Sequence, residues 1–113
     1  MDQSQAQVAD NVEASRFEIT VDGAIAGFAV YRLNGPAISF THTEIDPAFE
    51  GRGLGSTLVG AALDAARDAG LSVLPFCPFV QRYITRHPEY LDLVAADQRA
   101  RFSLDGVGGE GSK

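Results

Sequence analysis

The order of turn signals and hydrophobic periods predicts a single-domain α/β (α+β) fold. It has a mixed, mostly antiparallel sheet, a central helix entered from a glycine-rich loop, and a second helix towards the C-terminus. Three observations carry this reading. Asp22-Gly23 and Asn34-Gly35 are two-residue hairpin signals between stretches that alternate or run apolar. The segment Phe49-Glu50-Gly51-Arg52-Gly53-Leu54-Gly55-Ser56-Thr57-Leu58-Val59 sets three alternate glycines before a helical pattern. A short apolar run closed by Pro75 follows the helix, so this last strand lies parallel to the strand before the loop.

Residues 1–14 are polar, rich in Gln, Asp and Asn, and without a sustained period, which predicts a flexible arm or strand lead-in. From 16 to 21 polar and apolar residues alternate, and 24–33 is a nearly continuous apolar run, predicting a hairpin with a buried second strand. Pro36 sits where a strand begins, so 37–45 becomes the third strand of a meander, ended by Asp46-Pro47. Across 53–69, Leu54, Leu58, Ala61, Ala62, Ala65 and Ala69 recur at helical spacing, with Thr57, Gly60, Asp64, Arg67 and Asp68 opposite. Gly70 supplies the helix stop, 71–74 a strand, and 79–86 a helix with Pro78 in its first turn and His87-Pro88 beyond it. Residues 89–104 suit a further helix or turn and close a domain expected over 15–104, while the Gly-rich 105–113 is expected as a disordered tail.

At 113 residues, 45% hydrophobic and 21% charged, the chain suits one globular domain with one core. A net charge of −6 argues against nonspecific nucleic-acid binding, for there is no basic stripe to displace counterions from a phosphate backbone. The single cysteine, Cys77, permits no intrachain disulfide, and no Cys/His spacing suggests a metal. With neither an export signal nor a bilayer-length apolar run, a cytoplasmic location and no membrane partner are expected.

The glycine loop has the design of an anion cradle. Glycines let the backbone turn tightly and approach a ligand, and the next helix starts with free N–H groups at its positive end. Spacing excludes two phosphate-binding loops. A Walker A loop needs lysine before its Ser/Thr, and here Gly55 precedes Ser56; a dinucleotide fingerprint needs glycine where Ser56 or Leu58 stands.

What survives resembles the GCN5-related N-acetyltransferase superfamily, whose loop reads Gln/Arg-x-x-Gly-x-Gly/Ala after an antiparallel strand and before a helix. Gly53-Leu54-Gly55 matches its glycine half, and Glu50 departs where the pattern has Gln or Arg, with Arg52 as a compensating charge. Thr41-His42-Thr43-Glu44, Pro75-Phe76-Cys77-Pro78-Phe79 and Arg86-His87-Pro88-Glu89-Tyr90 occur in the same order as in a minimal, NATD1-like group of that superfamily.

The resemblance implies an acyl-CoA N-acyltransferase fold and acetyl transfer from acetyl-CoA to an unidentified primary amine, a protein lysine or small amine. It implies no metal, and a monomer or weak homodimer is expected. Carried over by position, Thr43, Glu44 and Ile45 would meet the pantetheine arm, and Gly51, Arg52, Gly53, Leu54, Gly55, Ser56 and Thr57 would hold the pyrophosphate. The thioester would then point towards His42, Glu44 and Cys77, the catalytic candidates.

His42 suits proton acceptance, and Glu44 shares its strand face. His42 also reads as a strand histidine on the face of Phe40 and Ile38, and Glu44 as a solvent-facing strand end. Cys77 precedes a helix whose positive end favours a thiolate, which permits an acetyl-cysteine route; a buried small hydrophobe between Phe76 and Phe79 is the other reading. Direct attack by the amine is the first choice, with Cys77 lining the thioester pocket. A CoA-binding sensor without catalysis is the alternative from another class. Arg82, Tyr83, Arg86, His87 and Tyr90 read first as a helix with core aromatics and solvated arginines, and otherwise as contacts to the CoA phosphates or the acceptor.

Overall fold

The first hairpin turns where its signal stands and the second one residue later. Asp22 and Gly23 take φ of +52° and +85°, the paired left-handed geometry that matches strand twist. Asn34 still pairs with Ala37, and the second turn is Gly35-Pro36, with Gly35 at +61° and Pro36 in the turn instead of at the strand's start. The computed structural model describes residues 6–104 and contains five strands and two helices: β1 (Ala6–Asn11), β2 (Arg16–Val21), β3 (Ala24–Asn34), β4 (Ala37–Ile45), α1 (Leu54–Asp68), β5 (Ser72–Pro75) and α2 (Pro78–Arg86). The strands form one sheet in the order β1-β2-β3-β4-β5, antiparallel except for β4 and β5. The predicted mixed α/β fold class is therefore the one observed.

Several local expectations change. Residues 6–11 of the expected arm form an edge strand in register with β2, where Ala6 and Val8 reach the core. A half-buried edge strand needs only sparse apolar residues on one face, too few to show as a period. Residues 1–5 and the tail expected over 105–113 lie outside the described residues. Of the two forms open to the region after α2, a helix or turns, it takes the turns, as short 3-10 segments Pro88–Leu93, Ala96–Gln98 and Ala100–Phe102.

Both helices pack on one face of the sheet, where Val59, Ala62 and Leu63 of α1 and Val80 of α2 meet Ala29 and Phe40. Phe17, Ile19, Phe40, Leu58, Leu63 and Ile84 are all at least 94% buried in this core. The apolar run of β3 is buried only in part: Ala26, Ala29 and Tyr31 enter the core, and Ile25 and Leu33 near the strand's ends remain 48% and 60% exposed. On α1, Gly60 belongs to the buried side instead of the outer one, because the ring of Tyr83 lies over it: a Cβ there would stand 2.6 Å from the Tyr83 hydroxyl.

Candidate active site

The parallel pairing of β4 with β5 runs from Ala37 opposite Ser72 to Phe40 opposite Pro75 and stops. One further link, the Cys77 N–H donating to the Phe40 carbonyl at 2.9 Å, closes the narrow end. Beyond it the chain of β5 turns into α2, and residues 42–45 of β4 pair with β3 alone. The sheet thus opens as a wedge beside the glycine loop.

A cleft of about 360 Å³ occupies this opening on the helical side of the sheet. Of the expected binding residues it is lined by Thr43, Ile45, Gly51, Gly53, Leu54, Gly55 and Ser56, joined by Phe49, Glu50 and Phe79. At its floor α1 begins. Its N-cap, Gly53, has φ of +72° and no side-chain cap, and the first helical bond is made by the Thr57 N–H to the Gly53 carbonyl at 3.2 Å. The N–H groups of Leu54, Gly55 and Ser56 therefore precede any intrahelical bond and face the open end, at the positive pole of a four-turn helix.

The three glycines serve different ends. Gly51 at φ +83° and Gly53 at φ +72° hold left-handed turns, and a Cβ on either would meet nothing within 4 Å, so the space before them is open to a ligand. At Gly55 a Cβ would stand 2.5 Å from the Phe79 ring, so this glycine seats α2 against the start of α1. A loop with open space, uncapped N–H groups and a helix pole fits a pyrophosphate. Glu50 shares the cleft, as its place in the sequence implies.

Two of the expected loop contacts stand aside from the cleft. The Thr57 N–H is held within the helix, and its hydroxyl donates to the Gly53 carbonyl at 3.3 Å. The Arg52 guanidinium lies 5.6 Å from the centre of the Phe49 ring, at the cleft's edge.

An extra residue in β4 separates the catalytic candidates. Val30 pairs with His42 and Tyr31 with Phe40, so Thr41 has no opposite number and the strand bulges there. Phe40 is buried towards the helices, and after the bulge Thr43 and Ile45 take that side. His42 and Glu44 turn to the other face, correcting the expectation that His42 shares the side of Phe40 and Ile38.

On the outer face His42 Nε2 lies 3.0 Å from Glu44 Oε1, each side chain 58% exposed, so the expected His-Glu pair exists. Phe28 flanks the His42 ring at 6.1 Å, with the Arg16 guanidinium 4.5 Å from the Phe28 ring centre. A second, shallower hollow of about 210 Å³ on this face includes Phe28, Glu44 and Asp46.

Cys77 is the N-cap of α2 and is 4% exposed, its Sγ 3.4 Å from Thr43 Oγ1 as donor. It stands behind Thr43 rather than in the cleft lining. Phe28, Phe79 and Asp46 are site residues that the sequence reading missed. Phe79 was visible as part of the Pro75–Phe79 motif and as a flank of Cys77 but not as a cleft residue, and the bulge that brings Phe28 to His42 carries no turn signal at all.

The sheet thus splits beside an uncapped, glycine-cradled helix start. The family model described as GCN5-related N-acetyl-transferase matches residues 16–93, and the chain belongs to that family. Protein NATD1 of Homo sapiens is 33% identical over 57 residues, 49% of this chain and 50% of the relative; the Xenopus tropicalis protein has the same identity over 52% of its length. The chain spans about half the length of the curated relatives it matches.

Among solved structures, a GCN5-like protein from Staphylococcus aureus superposes with a TM-score of 0.62 at 22% identity, over 81% of this chain and 90% of that one. The ribosomal-protein-S18-alanine N-acetyltransferase of Escherichia coli gives 0.50 at 20% identity, over 64% and 54%. At these identities the likeness is one of fold.

Proposed function

We propose that the protein moves an acetyl group from acetyl-CoA to a primary amine, a protein lysine or a small amine, by direct attack of the amine on the thioester. The observation that carries this is the wedge between β4 and β5 opening at its wide end onto the uncapped start of α1. Acetyl-CoA supplies the activated acyl group and a thiolate leaving group. Leu54, Gly55 and Ser56 bind the pyrophosphate through their N–H groups, and the free edge of residues 42–45 orients the arm leading into the split.

The two faces of β4 divide the work. The ligand occupies the helical side with Thr43 and Ile45, and the amine arrives from the outer face, where His42 stands over the same strand. An amine must be neutral to attack, and the His42 imidazole, oriented by Glu44, accepts its proton and passes it to solvent. Burial of Cys77 behind Thr43 and its hydrogen bond to the hydroxyl favour direct attack over an acetyl-cysteine route.

Thiol release from acetyl-CoA, followed with lysine peptides and a panel of small amines, tests the reading. Stimulation by at least one amine is expected. His42→Gln should lower kcat by about 10²-fold or more and leave KM for acetyl-CoA nearly unchanged, since general-base catalysis contributes roughly 10²–10⁴-fold. Binding of acetyl-CoA with no amine raising thiol release above background would instead favour a CoA sensor.

A further inference from the structure

A cleft of about 250 Å³ adjoins the first along α2, sharing Ser56 and Phe79 with it and adding Arg82, Tyr83, Arg86 and His87. Arg82 and Arg86 are one turn apart on the exposed side of α2. Among the described residues neither meets a carboxylate; Arg99 and Arg101 do not either, but those two are held by the Val94 carbonyl and Gln98, whereas Arg82 and Arg86 stand side by side on the cleft. In a chain of net charge −6, two unneutralised guanidinium groups at the rim of a phosphate cradle are out of keeping with solubility alone.

The wall behind them is built of packed rings. Tyr83 stacks on His87 with ring centres 4.2 Å apart, and its hydroxyl sits over the bare Gly60 without a hydrogen-bond acceptor among the described residues. Burial, with the charges of Asp64 and Glu89, raises the Tyr83 phenol above its usual range, so it remains a donor. Glu89 lies 3.8 Å from His87 Nδ1, at the end of this wall.

We propose that this second cleft receives the 3′-phosphate of coenzyme A through Arg82 and Arg86, so that the protein distinguishes acetyl-CoA from its 3′-dephospho form. The inference rests on the acetyl-CoA reading. In coenzyme A the ribose bearing the 3′-phosphate is joined directly to the pyrophosphate. A pyrophosphate on the N–H groups up to Ser56 therefore leaves that phosphate to the next cleft, which Ser56 also borders. A phosphomonoester carries roughly −1.5 to −2 charges near neutral pH and three acceptor oxygens. Guanidinium forks match those oxygens two at a time.

Calorimetric titration of the protein with acetyl-CoA and with acetyl-3′-dephospho-CoA tests it directly. The wild type should bind acetyl-CoA about tenfold more tightly or better, the size of one charge-assisted contact. The double variant Arg82→Gln/Arg86→Gln should lose most of that ratio by weakening acetyl-CoA alone, and Arg82→Lys/Arg86→Lys should keep part of it. Equal wild-type affinities for the two ligands overturn the inference and leave the cradle standing. So does a Gln variant that folds, by circular dichroism, and weakens both ligands by the same factor. A wild type that binds neither ligand overturns the acetyl-CoA reading itself and this subsite with it. If the Gln variant does not fold, the wild-type ratio and the Lys variant decide.

Discussion

Glycine substitutions separate the roles of residues in the cradle. Gly53 and Gly55 are two positions apart in the sequence and look equivalent there, but one is held by φ and the other by a ring. Gly53→Ala places a methyl in open space at φ +72°, so its cost is backbone strain of about 1 kcal/mol. Gly55→Ala drives a methyl against Phe79, at 2.5 Å from the ring as it stands, and should cost about 1–3 kcal/mol by overpacking. Urea denaturation of the two variants checks the order. A Gly55→Ala protein as stable as Gly53→Ala would mean that Phe79 moves aside freely and does not seat α2. His42 makes the same point about the limits of reading residues singly: its side is decided by Thr41, a residue with no chemistry of its own.

Elements are joined beyond the sheet by a few long side chains. Arg67, in the last turn of α1, donates to both carboxylate oxygens of Asp92 at 2.8 and 3.0 Å and to the Glu89 carbonyl at 2.8 Å, clamping the Pro88–Leu93 turn to the helix. Tyr90 completes the clamp by donating to Asp64 at 2.8 Å. These contacts explain why 89–104 keeps a defined path as 3-10 turns although its sequence carries no sustained helical period. Arg67→Met should cost about 1 kcal/mol or less, because the ion pair is largely exposed. Its clearer effect is local: amide hydrogen exchange should quicken across 88–93 while the sheet stays protected. Unchanged exchange there would assign the turn's order to Leu93 and Val94 in the core instead.

At the scale of the molecule, two hydrogen-bonded phenols, one buried and one half-buried, tie the ends of the architecture to its centre and give it a limit at high pH. Tyr31 of β3 donates to Asp10 of β1, and Tyr90 to Asp64 of α1. Burial first, and then the carboxylate partner, pushes both phenols up to about 12 from 10.0. Between about pH 10 and 12 the unfolded chain has released these protons while the folded chain still holds them, so stability falls as pH rises through that window. The double variant Tyr31→Phe/Tyr90→Phe should unfold in urea with a midpoint that drops less between pH 9 and 11 than the wild type's. An identical slope in both proteins would mean that other groups carry the alkaline loss.

Much of this protein was legible in its residues because local physics decides it. Asp22-Gly23 and Gly35 take left-handed turns at little cost, Gly51 and Gly53 open a cradle ahead of an amphipathic helix, and Pro78 and Pro88 bracket the second one. Those signals sufficed for the order of β2, β3 and β4, the loop and the family resemblance. Non-local packing decided the rest. Whether β4 bulges at Thr41 depends on its register with β3, and that one residue puts His42 and Glu44 on the far side of the sheet from the cleft. That Gly55 seats Phe79 as well as bordering the cleft, and whether Cys77 faces the cleft or backs Thr43, depends on where α2 comes to rest. Turn and helix preferences are written within a few neighbouring residues, whereas the side of a sheet on which a side chain works is settled by a partner strand far away in the chain.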